Sequence, residues 1–113
     1  MHEIGLMQET INMALDHAKN QGANKIHSLK MRVGDLSGVI PEALQFAFDV
    51  MINDTIAQGA KLYIETVPVT CYCRNCQINF QPDDIIYQCP QCHSLSTQIL
   101  TGKELELTSL EVS

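Results

Sequence analysis

Near the start of the chain, apolar and polar positions recur with the period of a helix. Apolar side chains lie three or four residues apart, at Ile4, Met7, Ile11, Ala14, Leu15 and Ala18. This spacing predicts a helix from Ile4 to about Asn20 with one buried face. Gly22 follows, and glycine readily adopts the positive φ that ends many helices. We therefore expect the first helix to end at this glycine.

A second helical pattern begins at Pro41, a residue suited to the first position of a helix. Behind it runs a regular apolar stripe, which consists of Leu44, Ala47, Phe48, Met51 and Ile52. The pattern predicts a second helix that ends near Asn53.

Two segments between and after these helices alternate with the two-residue period of a strand. KIHSLKMRVG, residues 25–34, places on one side His27, Leu29, Met31 and Val33. KLYIETVPV, residues 61–69, places Leu62 and Ile64 on one face. Pro68 in the second segment indicates an edge position or the end of a strand, because proline lacks an N–H for the sheet. We predict a strand in each segment, with one face covered.

The last twelve residues alternate through Leu105 and Leu107 and then change phase to Leu110 and Val112. This change of phase predicts a strand with one bulged residue. Residues 1–69 and 101–113 thus predict a small α+β domain in which two helices cover a three-stranded sheet. Residues 70–100 form a separate module, inserted before the last strand.

Composition limits the classes of function. The chain has 113 residues, the size of one ordinary domain with or without a small module. Its 13 acidic and 7 basic residues give a formal charge of −6, which disfavours binding to phosphate backbones and so predicts no nucleic-acid partner. No stretch approaches the roughly 18 apolar residues of a membrane span. We expect a cytoplasmic protein with no membrane partner.

All five cysteines fall in the inserted module, at Cys71, Cys73, Cys76, Cys89 and Cys92. A disulfide scaffold would more often spread an even number of cysteines over a secreted chain. Clustered cysteines in a cytoplasmic chain favour metal binding.

The core of the module is a pair of C-x-x-C motifs separated by twelve residues. Each motif directs two thiolates at one centre from a tight turn, and two motifs supply the four sulfurs of a structural zinc site. The twelve residues are long enough for two short strands and a turn such as QPDD. We therefore predict that a zinc-ribbon module binds Zn(II) through its two C-x-x-C pairs, Cys73, Cys76, Cys89 and Cys92. Cys71 lies two residues before Cys73, and His93 directly follows Cys92. Whether either residue joins the zinc ligands stays open.

Other uses of these cysteines are less well supported. A rubredoxin-like iron site has the same ligands, whereas a thioredoxin-like redox pair belongs at a helix start, and these pairs lie in turn-rich segments. A ribbon that docks on a protein or nucleic acid without any nickel function is the main alternative. Against a nucleic-acid target, residues 71–100 carry only Arg74 as a basic residue, beside Asp83 and Asp84. No combination of residues typical of catalysis is present, so we predict that the protein is not an enzyme.

The chain start groups several donors that suit Ni(II), which favours nitrogen and oxygen ligands in a square plane. Met1 offers an α-amine, His2 an imidazole and Glu3 a carboxylate. The backbone amides of His2 and Glu3, once deprotonated, can complete the plane.

These features occur together in a known family. With its Met1-His2-Glu3 start, an amphipathic helix, the segment RVGDLSGV and a late C-x-x-C, twelve residues, CPQCH, the whole chain resembles the HypA/HybF family of hydrogenase nickel-insertion proteins. The resemblance implies a metallochaperone for maturation of [NiFe]-hydrogenase, with transient Ni(II) at the N-terminus and structural Zn(II) in the ribbon. His2 would be the essential nickel ligand, and Glu3 would assist it. The implied partners are the GTPase HypB and the precursor of the hydrogenase large subunit.

Overall fold

The computed structural model describes residues 2–83, 86–95 and 98–113, with the backbone alone at His2. This part of the chain forms α1 (His2–Asn20), β1 (Ile26–Gly34), α2 (Pro41–Met51), β2 (Lys61–Val67), β3 (Thr70–Cys73), β4 (Ile78–Phe80), β5 (Gln98–Thr101) and β6 (Leu105–Val112). The strands make two three-stranded sheets. The predicted class is confirmed, since two helices accompany one sheet and the second sheet carries the cysteines. Neither helix is both long enough and apolar enough to cross a bilayer.

Helix α1 begins two residues earlier than the apolar spacing predicts and ends where expected. Gly22 takes the left-handed conformation with φ of 69°, and the N–H of Ala23 donates to the carbonyl of Ala18 at 2.9 Å. This bond satisfies a carbonyl that the last turn of the helix would otherwise leave without a partner. The chain is thereby turned back towards β1.

Helix α2 starts at Pro41, as predicted, and its apolar stripe faces inward. Leu44, Ala47 and Phe48 are buried. They join a core to which α1 contributes Met7 and β1 contributes Leu29, among others. The two helices therefore cover the same sheet and share one hydrophobic core, which fixes the position of the start of α1.

The covered sheet has the order β2-β1-β6, in which β1 pairs in parallel with β2 and antiparallel with β6. Helix α2 forms the crossover that parallel neighbours require. Strand β2 is an edge strand and ends at Val67, directly before Pro68, in agreement with both readings of that proline. Lys30 of β1 pairs with Ser109 of β6, and Met31 pairs with Leu107. Thr108 is therefore the one bulged residue that the sequence predicts in β6.

Strand β1 contains a second irregularity that the alternation does not reveal. Ile26 pairs with Val112 and Ser28 with Glu111, which makes His27 the extra residue of a bulge. Ile26 is fully buried, whereas His27 is half-buried and places its Nε2 atom 2.7 Å from Oγ of Ser113. The prediction that His27 shares the covered face is therefore wrong at this position, because the bulge changes the phase of the strand.

The second sheet has the order β4-β3-β5, with antiparallel pairs throughout. Its buried cluster is small and consists of Cys71, Cys73, Phe80 and Cys89. The sequence predicts two strands between Cys76 and Cys89, but the described part of that span contains only β4. The other two strands of this sheet lie outside the span between the two cysteine pairs: β3 precedes Cys76, and β5 follows Cys92.

Three short segments of the chain meet between the two sheets, and we call them the neck. The neck consists of Gly34–Leu36, Pro68–Val69 and Thr101–Glu104. The N–H of Gly34 donates to the carbonyl of Glu104 at 2.7 Å, and the N–H of Leu36 donates to that of Gly102 at 2.6 Å. The hydroxyl of Thr101 donates to the carbonyl of Pro68 at 2.8 Å. The first two bonds tie the segment before β6 to the end of β1, and the third ties that segment to the one after β2.

Candidate metal centres

The four predicted zinc ligands come together at one end of the second sheet. Cys73 ends β3 and Cys76 follows it in a turn, while Cys89 and Cys92 lie in the loop that leads towards β5. All four Sγ atoms lie within 4.8 Å of one another. The Sγ atoms of Cys73 and Cys92 are 3.5 Å apart, and those of Cys76 and Cys89 are 3.9 Å apart.

These distances fit a tetrahedral metal ion. With Zn–S bonds near 2.3 Å, the edges of a regular tetrahedron of sulfurs measure about 3.8 Å. Cys73 and Cys89 are buried and Cys76 and Cys92 are half-buried, so the centre is shielded on one side and accessible on the other. The donor set therefore suits zinc, and the cluster can hold it in the way that structural sites do.

Both C-x-x-C turns have the same backbone geometry. The residue after each motif, Gln77 or His93, takes a left-handed conformation, with φ of 57° and 63°. Its N–H donates back to the carbonyl of the first cysteine, at 2.7 Å to Cys73 and at 3.0 Å to Cys89. The repeated turn aims both sulfurs of each pair at a common point. The sequence does not predict this turn role for Gln77, or for His93, which is considered above only as a possible ligand. The only local signal is the position of each residue directly after a C-x-x-C motif.

Hydrogen bonds shift the pKa values of two of the cysteines in opposite directions. A backbone hydrogen bond from Ser94, followed by one from the Asn75 side chain, lowers the pKa of Cys92 to about 6. The hydrogen bond of Cys76 with Cys92, together with desolvation, raises the pKa of Cys76 to about 12. Cys92 is thus a ready thiolate near neutral pH, while a metal ion must displace the proton of Cys76.

The two neighbouring residues that the sequence left open do not join this group. In the part of the chain that the structure describes, the only cluster of potential metal ligands comprises the four cysteines. Cys71 is fully buried and pairs across the sheet with Phe80. His93 serves the second turn through its backbone.

At the N-terminus, the structure describes only some of the predicted nickel ligands. Met1 and the side chain of His2 lie outside the described residues, while the backbone of His2 already belongs to α1. Glu3 is half-buried, and its Oε2 accepts a hydrogen bond from the N–H of Ile40 at 3.2 Å. Glu3 therefore links the start of α1 to the residue directly before α2.

Fold and cluster together define a small α+β protein that carries a zinc-ribbon type of metal site. A family model described as "Hydrogenase/urease nickel incorporation, metallochaperone, hypA" matches residues 1–112. The chain therefore belongs to the HypA family, as its resemblance predicts.

Two relatives match this chain over nearly the entire length of both proteins. The chain is 55% identical over 112 residues to the hydrogenase maturation factor HypA of a Picosynechococcus species, covering 99% of each chain. It is 38% identical to the factor of the same name from a Roseiflexus species, with 98% of this chain and 91% of that one covered.

Two solved structures share the fold. One, a solution structure of a HypA protein, has a TM-score of 0.74 at 30% identity and covers 100% of this chain and 97% of the other. The second is the solution structure of the Ni metallochaperone HypA from Helicobacter pylori, with a TM-score of 0.65, 28% identity, and coverage of 97% and 96%.

Proposed function

We propose that this protein is a nickel metallochaperone that binds Ni(II) at its N-terminus and delivers it to the precursor of a hydrogenase large subunit. The observation that carries the proposal is the family match, which begins at residue 1 and so includes Met1-His2-Glu3. In this role the protein is a carrier and not an enzyme, and the GTPase HypB is its partner in delivery. We place this activity in the cytoplasm, without a nucleic-acid or membrane partner.

The nickel site consists of the amine of Met1, the imidazole of His2 and the backbone amides of His2 and Glu3, once these are deprotonated. Such nitrogen donors suit the square-planar preference of Ni(II). A helix that starts at His2 holds these amides on one side of the chain start. Glu3 assists, and its hydrogen bond to Ile40 couples the site to the start of α2. Few ligands at a chain end favour weak binding, which a donor of nickel needs.

The second metal is structural. Cys73, Cys76, Cys89 and Cys92 hold Zn(II), which supplies the free energy that the small core of the ribbon lacks. We propose that residues 70–100 form this zinc-ribbon domain, and that residues 1–69 and 101–113 form the nickel-binding α+β domain. The shared core of α1, α2 and β1 supports the second assignment, because it contains none of the cysteines.

Titration of Ni(II) into protein whose N-terminus carries no metal ion tests the nickel site. For protein with its native start, His2→Ala lowers the affinity at least about tenfold, or roughly 1.4 kcal/mol. His17→Ala is the matched control, since His17 is an exposed histidine on the same helix, and it leaves the affinity unchanged. An extension before Met1 acts like His2→Ala, because it consumes the amine. Equal affinities for His2→Ala and the unmodified protein would refute the nickel site.

A further inference from the structure

Strand β6 leaves one long edge of the main sheet open. It spans eight residues and, within the described part of the chain, pairs only with β1. Edge strands present unpaired N–H and C=O groups, and natural proteins shorten, charge or cover them to avoid uncontrolled pairing. Here the bulge at Thr108 interrupts the edge without covering it.

A groove runs along this edge between β6 and α1. It consists of three adjacent depressions of about 260, 440 and 250 Å³. The first two share Met13 and Leu107, and the last two share His17 and Leu110, so the depressions are continuous. Met13 forms part of the helical wall and is 59% exposed. The groove follows β6 over its whole length, which is about 27 Å at 3.4 Å per residue.

The two faces of β6 define which chain would fit there. Side chains towards the groove are apolar and only half-buried, namely Leu105, Leu107, Leu110 and Val112. Side chains on the opposite face include the exposed carboxylates of Glu111 and of Glu106, which also forms an ion pair with Arg32 of β1 at 3.4 Å. An added strand would therefore place apolar residues in the groove and basic residues beside these carboxylates, since cross-strand pairs of opposite charge are favourable.

A second copy of this chain fits less well. The antiparallel register that matches the apolar residues sets Leu105 opposite Val112 and Leu107 opposite Leu110. The same register sets Glu106 opposite Glu111 twice, once on each side of the twofold axis. Like charges directly opposite one another destabilise a strand pair. The carboxylates thus disfavour self-pairing and favour a basic partner.

We propose that the β6 edge and its groove form a docking site for an extended segment of another protein, in which apolar residues alternate with lysine or arginine. The segment adds a fourth strand to the sheet. Backbone hydrogen bonds provide much of the affinity, and the groove selects the alternating apolar side chains. The inference does not depend on nickel binding, because the described residues that line the groove include none of the proposed nickel ligands.

The probe is a fluorescent peptide of nine residues that alternates valine and lysine, with binding to the zinc-loaded protein followed by anisotropy. We expect Met13→Gln to weaken binding at least about tenfold. Val50→Gln is the matched control, since Val50 is a similarly exposed apolar residue on α2, and it leaves binding unchanged. Glu111→Lys weakens this peptide and strengthens one that alternates valine and glutamate.

A version of the probe that is N-methylated at every backbone nitrogen tests strand addition itself. It loses binding, because it cannot donate hydrogen bonds to β6. The proposal is overturned if this version binds as well as the parent peptide, if the parent does not bind, or if Met13→Gln has no effect. It is also overturned if the protein sediments as a dimer that Met13→Gln dissociates, since the occupant would then be a second copy.

Discussion

Gly34 lies where the chain crosses itself at the neck, and its lack of a side chain is a requirement of the packing. A Cβ atom there would collide with the carbonyl of Gly102 and lie 2.7 Å from the backbone nitrogen of Glu104. We expect Gly34→Ala to lower the free energy of unfolding by about 1–3 kcal/mol, the usual cost of overpacking. Urea denaturation measures the change.

Gly5→Ala is the control for this substitution. Gly5 lies in α1, and a Cβ there meets no atom within 4 Å. Alanine in a helix is favoured over glycine by up to about 1 kcal/mol, so this variant should be more stable than the unmodified protein. If both alanine variants change stability in the same direction, the neck is not close-packed as described.

Glu104 makes stability at the neck depend on pH. Its Oε1 accepts a hydrogen bond from the N–H of Gly102 at 2.8 Å. Bonds from its own N–H and that of Gly102, followed by the charge of Arg32, lower the pKa of its carboxyl group. A lowered folded-state pKa stabilises the fold above the unfolded-state pKa, and this contribution disappears as pH falls through the folded-state pKa.

We therefore expect Glu104→Gln to melt at a lower temperature than the unmodified protein at pH 7. Glutamine can still accept the Gly102 bond but carries no charge. The difference in melting temperature shrinks below about pH 4, where an ordinary glutamate is protonated. Glu9→Gln, at an exposed position of α1, shows no such pH-dependent difference. A difference for Glu104→Gln that persists unchanged at low pH would show that its charge has no role.

Single residues also mark the limit of prediction from sequence. Glu3 could be selected as a candidate ligand, but its bond to Ile40 joins residues that are far apart in the chain, and no local pattern contains it. The bulge at His27 escaped detection because one extra residue at a strand end leaves too little alternation to show a change of phase. By contrast, the bulge in β6 was visible, since two leucines precede it and two apolar residues follow.

Among the secondary-structure elements, the helices and the main sheet were predictable because each buries one periodic apolar face. The ribbon module was also predictable from its cysteines, but the positions of its strands were not, since these have three or four residues each and its buried cluster is mostly cysteine. The four ligands could still be identified, because the spacing of C-x-x-C pairs is set by the turn and not by a core. The exact strand positions follow from pairing with β3, which no segment reveals alone.

Removal of zinc tests the dependence of the ribbon on metal. Four buried residues form its described core, three of them cysteines, so little apolar area stabilises it without a metal ion. Treatment with a strong chelator should abolish the dispersed NMR amide signals of β3, β4 and β5. The signals of α1, β1 and β6 should remain, because the buried residues of their core are different from those of the ribbon. Ribbon signals that survive complete zinc loss, or a main domain that unfolds with them, would contradict the division into two domains.

At the scale of the whole molecule, the two proposed metal sites differ in the chemistry that release requires. The four-sulfur cluster is pre-arranged by two equivalent turns, which favours firm binding of the proposed zinc ion. The chain start presents nitrogen donors at the end of one helix, next to α2 and in a protein with a net charge of −6. Such a charge attracts cations without fixing them. In the proposed function, zinc therefore maintains the structure while nickel is passed on.

The central claim is that nickel binds at the chain start and leaves the cysteines to zinc. Its most direct test is a crystal of the zinc-loaded protein with a native start, soaked in Ni(II), with anomalous scattering recorded at both metal edges. We predict nickel beside the imidazole of His2 and the backbone of residues 1–3, and zinc among Cys73, Cys76, Cys89 and Cys92. Nickel among the cysteines, or bound elsewhere with His2 unoccupied, would contradict the account.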